Sequence, residues 1–234
     1  MANQAVQTTS LLDSEITMQH EFWHDRWQNN QIGFHLPEAN PLLVKYFSDL
    51  HLQRGARIFL PLCGKTLDIA WLLAQGYQVV GAELSQIAIE DLFRQLNVTP
   101  NITKMGDITH YSALNIDIFV GDIFKLTSSL LGQVNAVYDR AALVALPDET
   151  RKSYAEHIIT LTQHMGIPAQ QLLVCFEYNQ RLHDGPPFSV NIEEVKQLYQ
   201  THYSLTLLAT EVVEGGLKGK CPAIEHVWWL NSLD

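Results

Sequence analysis

The stretch 57-RIFLPLCGKTLDIAWLLAQGYQVVGAELS-85 joins an apolar run, a turn, a helical segment and a second apolar run. RIFLPLC is short and apolar, as a strand buried on both faces must be. GKTLDIAWLLAQG takes up a 3.6-residue period and ends on Gly76, a helix stop. YQVVGAELS is rich in Val and reads as the next strand. Strand, helix, strand with apolar strands is the unit of a parallel sheet covered on both faces.

The alternation continues downstream. SQIAIEDLFRQL reads as a helix, IDIFVGDIF as a third strand and QVNAVYDR as a fourth. PDETRKSYAEHIITLTQHM reads as a helix opened by Pro147 and Asp148, and QLLVCFEYN as another strand. After LHDGPPFSV come a helix, IEEVKQLY, and two runs, YSLTLLATEVV and EHVWWLN, joined by EGGLKGKCP as a closing hairpin. Upstream, MQHEFWHDRWQ sets Phe22, Trp23, Arg26 and Trp27 at helical spacing. NQIGFHLPEANP breaks that helix with Gly33, Pro37 and Pro41, and LLVKYFSDLHL resumes the period. Residues 1–17 are polar and aperiodic and read as a disordered tail. The expectation is one doubly wound, Rossmann-like α/β domain over residues 18–234. Its sheet is expected to be mostly parallel with a C-terminal antiparallel hairpin, under a helical N-terminal cover.

Composition narrows the function. A chain of 234 residues, 47% apolar and 17% charged, can bury one sizeable core. A net charge of -10 and a pI near 5.4 speak against a nucleic-acid partner, which needs a basic stripe. The apolar runs are strand-sized, too short to span a membrane. MANQAVQTTS lacks the basic and apolar regions of an export signal. Cys63, Cys175 and Cys221 are far apart, which fits a reducing cytoplasm better than a disulfide framework. A small molecule is the expected partner, and a monomer the expected state.

Three motifs compete. HEFWH at residues 20–24 fits H-E-x-x-H, in which two His bind zinc and the Glu acts as base. Downstream, DRWQNNQIGFHLP offers no second ligand-bearing helix and no Gly-x-x-His continuation, so a zinc hydrolase built on His20, Glu21 and His24 remains only an alternative. GKT at residues 64–66 resembles the end of a phosphate-binding loop, but Phe59 stands where its first glycine belongs. The dinucleotide fingerprint G-x-G-x-x-G is absent too, which leaves an NAD-binding Rossmann protein as a second alternative.

A single glycine after the first strand suits a smaller, cationic cofactor. Glu83 follows about twenty residues after that turn, where an acid in such folds accepts both ribose hydroxyls; an ordinary loop Glu is the plain alternative. Asp122, ending the third strand, is placed to meet an adenine amine or to be a turn aspartate. Asp139 and Arg140 end the fourth strand at the ligand-binding edge, with a structural salt bridge as the rival reading.

Together FWHDRWQNNQIGFH, PLCGKTLDIAWLLAQGYQVVGAELS, YDRAAL and DGPPFSV resemble the thiopurine S-methyltransferase family, class I methyltransferases that use S-adenosylmethionine. The likeness runs from Met18 nearly to the end. It implies cofactor contacts at Trp27, Leu62, Glu83, Asp122, Ile123 and Arg140, and an aromatic residue against the acceptor at Phe34. Vertebrate members carry an arginine in the late loop, where this sequence has only Lys218 and Lys220. The resemblance implies S-methylation of aromatic or heterocyclic thiols, and bacterial members are linked to selenium and tellurium species as well. A sulfonium methyl is already electrophilic, so holding a thiolate in line and excluding water carries most of the catalysis. Arg140 is the candidate to favour and steer the thiolate. Trp23, Trp27, Phe34 and Pro186, Pro187 and Phe188 are the candidate apolar lid, with core packing the rival for the aromatics.

Overall fold

The computed structural model describes residues 20–233. The tail expected at residues 1–17 lies outside them. Residues 20–28 form helix α1, followed by an irregular loop and helix α2 (Pro41–Tyr46). Asn40 starts α2 by accepting the Leu42 amide at 2.8 Å, and Pro41 occupies the first turn, where no backbone donor is needed.

The deciding stretch folds as read. Strand β1 (Arg57–Leu60) leads through a turn into α3 (Asp68–Ala74), then β2 (Gln78–Glu83) and α4 (Gln86–Gln95). Next come β5 (Ile116–Val120), α5 (Ser128–Leu131), β6 (Ala136–Arg140), α6 (Asp148–Leu161) and β7 (Gln170–Tyr178). Helix α7 (Ile192–Tyr199) and strands β8 (Tyr203–Val212) and β9 (Ala223–Ser232) complete the described chain.

Between α4 and β5 lies an element the sequence reading passed over. β3 (Asn101–Met105) and β4 (Ile108–Ala113) form an antiparallel ribbon that pairs with β5 and extends the sheet on that side. The run read as the third strand is therefore the fifth in the chain. The nine-stranded order is β3-β4-β5-β2-β1-β6-β7-β9-β8. Pairings from β5 to β7 are parallel, and those at both flanks are antiparallel.

Alternate side chains of the inner strands enter opposite cores, the period-two rule of a pleated strand. Ile58, Val79, Ile118 and Tyr138 pack with α2, α3 and α4 on one face. Phe59, Val80, Phe119 and Val137 pack with α6 and α7 on the other. The chain winds one way from β1 to β2 and β5, and the other way from β6 to β7. A crevice therefore opens between β1 and β6 at the carboxyl ends of the strands, the ligand position in such sheets. Among the described residues no helix is long and apolar enough to cross a membrane.

Candidate active site

The adjacent strands β5, β2, β1 and β6 deliver Asp122, Glu83, the turn at residues 61–64 and Arg140 to one cavity of about 1080 Å³. That is just above the ~300–1,000 Å³ usual for small-ligand sites, room enough for two ligands side by side.

Glu83 is the last residue of β2 and only 6% exposed. Its Oε2 accepts the Gly64 amide at 2.7 Å and its Oε1 the Ser85 amide at 2.8 Å. Burial pushes its carboxyl above the usual range, and the amides of Ser85, Gly64 and Leu84 oppose that rise. Each oxygen keeps further lone-pair capacity, so the carboxylate is oriented to accept two neighbouring hydroxyls. This is the observation on which a ribose fits.

The turn after β1 explains why PLCG replaces a glycine-rich loop. Leu62 and Gly64 have φ of 47° and 52°. Such values are unusual for Leu and cluster at functional sites. A Cβ on residue 64 would stand 2.9 Å from Trp27 Cζ2. Gly64 thus answers both a backbone demand and a close approach by the α1 indole. Lys65 ties the turn to α4 through Asp91 at 3.1 Å.

Asp122 opens a 3-10 turn (Ile123–Lys125), accepting the Phe124 amide at 2.9 Å. His157 Nε2 donates to the Ile123 carbonyl at 2.8 Å, so α6 holds that turn in place. Ile123 lines the cavity beside Asp122.

At the end of β6, Tyr138 and Arg140 point toward the cavity and Asp139 away from it. Arg140 Nη1 donates to the Phe34 carbonyl at 3.2 Å, fastening the loop between α1 and α2 to the sheet edge. The Phe34 ring meets Trp27 edge-on at 5.5 Å and Trp23 at 5.8 Å. These three rings roof one end of the cavity. The salt bridge offered as the rival reading of Asp139 and Arg140 is not formed among the described residues. Asp139 instead accepts the Leu143 amide at 3.0 Å and the Tyr154 hydroxyl at 2.7 Å, and burial pushes its carboxyl up to about 6. It anchors the turn at Ala141, which like Leu62 is a non-glycine residue with positive φ, 61°.

Pro186 and Pro187 also line the cavity, where Lys218 Nζ donates to the Pro186 carbonyl at 2.8 Å. Phe188 does not line the cavity. Its amide donates to the Val144 carbonyl at 2.6 Å, and its ring packs against Gly185 within the same loop. The structure thus brings Trp23, Trp27, Phe34, Leu62, Glu83, Asp122, Ile123, Arg140 and Pro187 to one cavity and leaves Phe188 outside. It adds residues the sequence reading did not single out: Asp68, Tyr138 and the partly buried Glu225. An acid in the first turn of a helix is ordinary, so Asp68 gave no signal. Among the described residues no group of three or more His, Cys, Asp or Glu is placed to hold a metal, and the zinc alternative at His20, Glu21 and His24 gains no third ligand from the fold.

Comparison with known proteins follows the same line. The thiopurine S-methyltransferase (TPMT) family matches residues 18–225. A thiopurine S-methyltransferase of Xanthobacter autotrophicus is 56% identical over 215 residues, covering 92% of this chain and 99% of its own. The enzyme of that name from Acinetobacter baylyi is 50% identical, covering 92% and 99%. Among solved structures, an S-adenosylmethionine-dependent methyltransferase of Anabaena variabilis superposes with a TM-score of 0.59 at 15% identity, covering 91% of this chain and 95% of that one. The 1,6-didemethyltoxoflavin-N1-methyltransferase of Burkholderia thailandensis, solved with S-adenosylhomocysteine, gives a TM-score of 0.57 at 14% identity, covering 97% and 90%. These distant structures share the fold. With its strand-end cavity and full-length relatives, the chain belongs to the thiopurine S-methyltransferase family and is an S-adenosylmethionine-dependent methyltransferase.

Proposed function

We propose that this enzyme moves a methyl group to the sulfur of aromatic or heterocyclic thiols, with selenium and tellurium species as further acceptors. The observation that carries the reading is the aromatic roof of Trp23, Trp27 and Phe34 fastened to Arg140 at one end of the cavity. Flat apolar acceptors find faces and edges there to lie against.

Bound S-adenosylmethionine supplies a methyl on a positively charged sulfur. Glu83 holds the ribose hydroxyls, with its carboxylate already aimed by the Gly64 and Ser85 amides. Asp122 and Ile123 hold the adenine edge, and Leu62 and Trp27 enclose the tail over the turn. Arg140 offers a guanidinium beside the roof, where it favours the ionised form of a thiol. Aromatic thiols ionise readily, so no dedicated base is required. Trp23, Phe34, Pro186 and Pro187 exclude water and hold the acceptor, which is a proximity effect. Phe188 acts on the acceptor only through the position of the loop that it supports. The protein is proposed to work as a cytoplasmic monomer.

Paired acceptors test this. Thiophenol and phenol are offered with labelled donor to the wild type and to Phe34→Ala. The expected result is a methylated thiol, an untouched phenol, and a raised KM for the thiol in Phe34→Ala. Equal labelling of phenol and thiol would contradict the sulfur assignment.

A further inference from the structure

Asp68 stands in the first turn of α3 and is 1% exposed. One oxygen does structural work: Oδ1 accepts the Asn40 amide at 2.6 Å and joins the start of α2 to α3. The other, Oδ2, has no hydrogen-bond partner among the described residues, and neither has the hydroxyl of Tyr138, 3% exposed. Both residues line the cavity. Burial, with the charge of the nearby Asp68, pushes the Tyr138 phenol well above its usual range, so the two groups stand close together. Among the described residues no Lys, Arg or His pairs with Asp68. A buried carboxylate with an idle oxygen and no counter-ion is costly to fold around. A cationic ligand group removes that cost.

We propose that Asp68 Oδ2, with Tyr138 Oη beside it, receives the α-ammonium of the donor's methionyl tail. The inference rests on the nucleoside placement given above, with adenine at Asp122 and ribose at Glu83. The sheet supplies a ruler. Asp122 follows β5, Glu83 ends β2 and Tyr138 belongs to β6, with β1 between the last two. Neighbouring strands lie ~4.8 Å apart, so the span from β5 to β6 is about 14 Å. An adenosine carrying a four-carbon amino-acid tail spans such a row. Its tail then crosses the end of β1, over the turn at residues 61–64, and arrives at Asp68 and Tyr138. Repulsion of the tail's carboxylate by Asp68 sets which way round the tail lies.

Titration calorimetry with S-adenosylhomocysteine and with its des-amino analogue, in which hydrogen replaces the α-ammonium, tests the assignment. The wild type is expected to bind the analogue about 10- to 100-fold more weakly, the range for one lost charge-assisted contact. Asp68→Asn keeps an oxygen for the Asn40 amide. It is expected to weaken S-adenosylhomocysteine by a similar factor and to leave the analogue within about twofold. Tyr138→Phe leaves the α2 cap untouched and is expected to weaken S-adenosylhomocysteine about threefold with the same selectivity. If Asp68→Asn does not fold, as read by circular dichroism, Tyr138→Phe carries the test. Equal loss of both ligands in the variants, or a wild type that does not distinguish them, overturns the proposal. Glu83→Gln, titrated in parallel, is expected to weaken both ligands together. If it changes neither while the Asp68 selectivity persists, the nucleoside placement has failed and the ammonium site stands.

Discussion

Replacing Asp139 by Asn is expected to remove a pH-dependent weakness from the fold. The carboxyl is fully buried against Tyr154 and the Leu143 amide, and burial raises its pKa from 3.8 to about 6. A group whose folded pKa lies above its unfolded value adds stability below the unfolded pKa and loses it as pH rises through the folded one. The gap between 3.8 and about 6 corresponds to ~3 kcal/mol, of which roughly half is lost between about pH 5 and pH 7. Asn keeps an oxygen for the Leu143 amide and an NH₂ group for the Tyr154 hydroxyl, and it does not ionise. The assay is urea denaturation of wild type and Asp139→Asn at several pH values, extrapolated to zero denaturant. The stability difference should move in favour of Asn by about 1–2 kcal/mol from pH 5 to pH 7. A difference that stays constant over this range would refute the reasoning, because the carboxyl would then titrate alike in both states.

Glu83→Gln removes a charged acceptor and should weaken S-adenosylhomocysteine about 10- to 100-fold by calorimetry; unchanged affinity contradicts the ribose assignment. Gly64→Ala places a Cβ 2.9 Å from Trp27 at φ 52° and should lower stability by ~1–2 kcal/mol, with a change in tryptophan fluorescence as the indole shifts. A variant as stable as the wild type, with the same spectrum, would show that the turn does not need glycine. Saturating S-adenosylhomocysteine should raise the melting temperature and NAD should not, since only a ligand of the folded state stabilises it. Stabilisation by NAD alone would revive the dinucleotide alternative.

The inner sheet was legible because its strands are buried on both faces and read as apolar runs, from RIFL to LLVCF. Glu83 was legible from its spacing after the turn and its place at a strand end. The β3–β4 ribbon was not. NITKM is exposed at every position, so no apolar alternation marks it, and its pairing with β4 is a tertiary fact. The role of Asp139 was equally hidden, since Tyr154 lies on a later helix and only the fold brings its hydroxyl to the carboxylate. Phe188 looked like part of the lid because PPF reads as one apolar turn, but its amide hydrogen-bonds the Val144 carbonyl and its ring packs on Gly185 outside the cavity lining. The contact between Gly64 and Trp27 joins residues on α1 and after β1, and neither segment alone announces it.

The central claim is tested most directly by incubating the wild-type enzyme with methyl-labelled S-adenosylmethionine and a panel of aromatic thiols, selenite and tellurite, then identifying products by mass. The account predicts S-methyl thioethers from the aromatic thiols, formed in step with S-adenosylhomocysteine. Tight binding of S-adenosylhomocysteine with no label in any of these acceptors would contradict it.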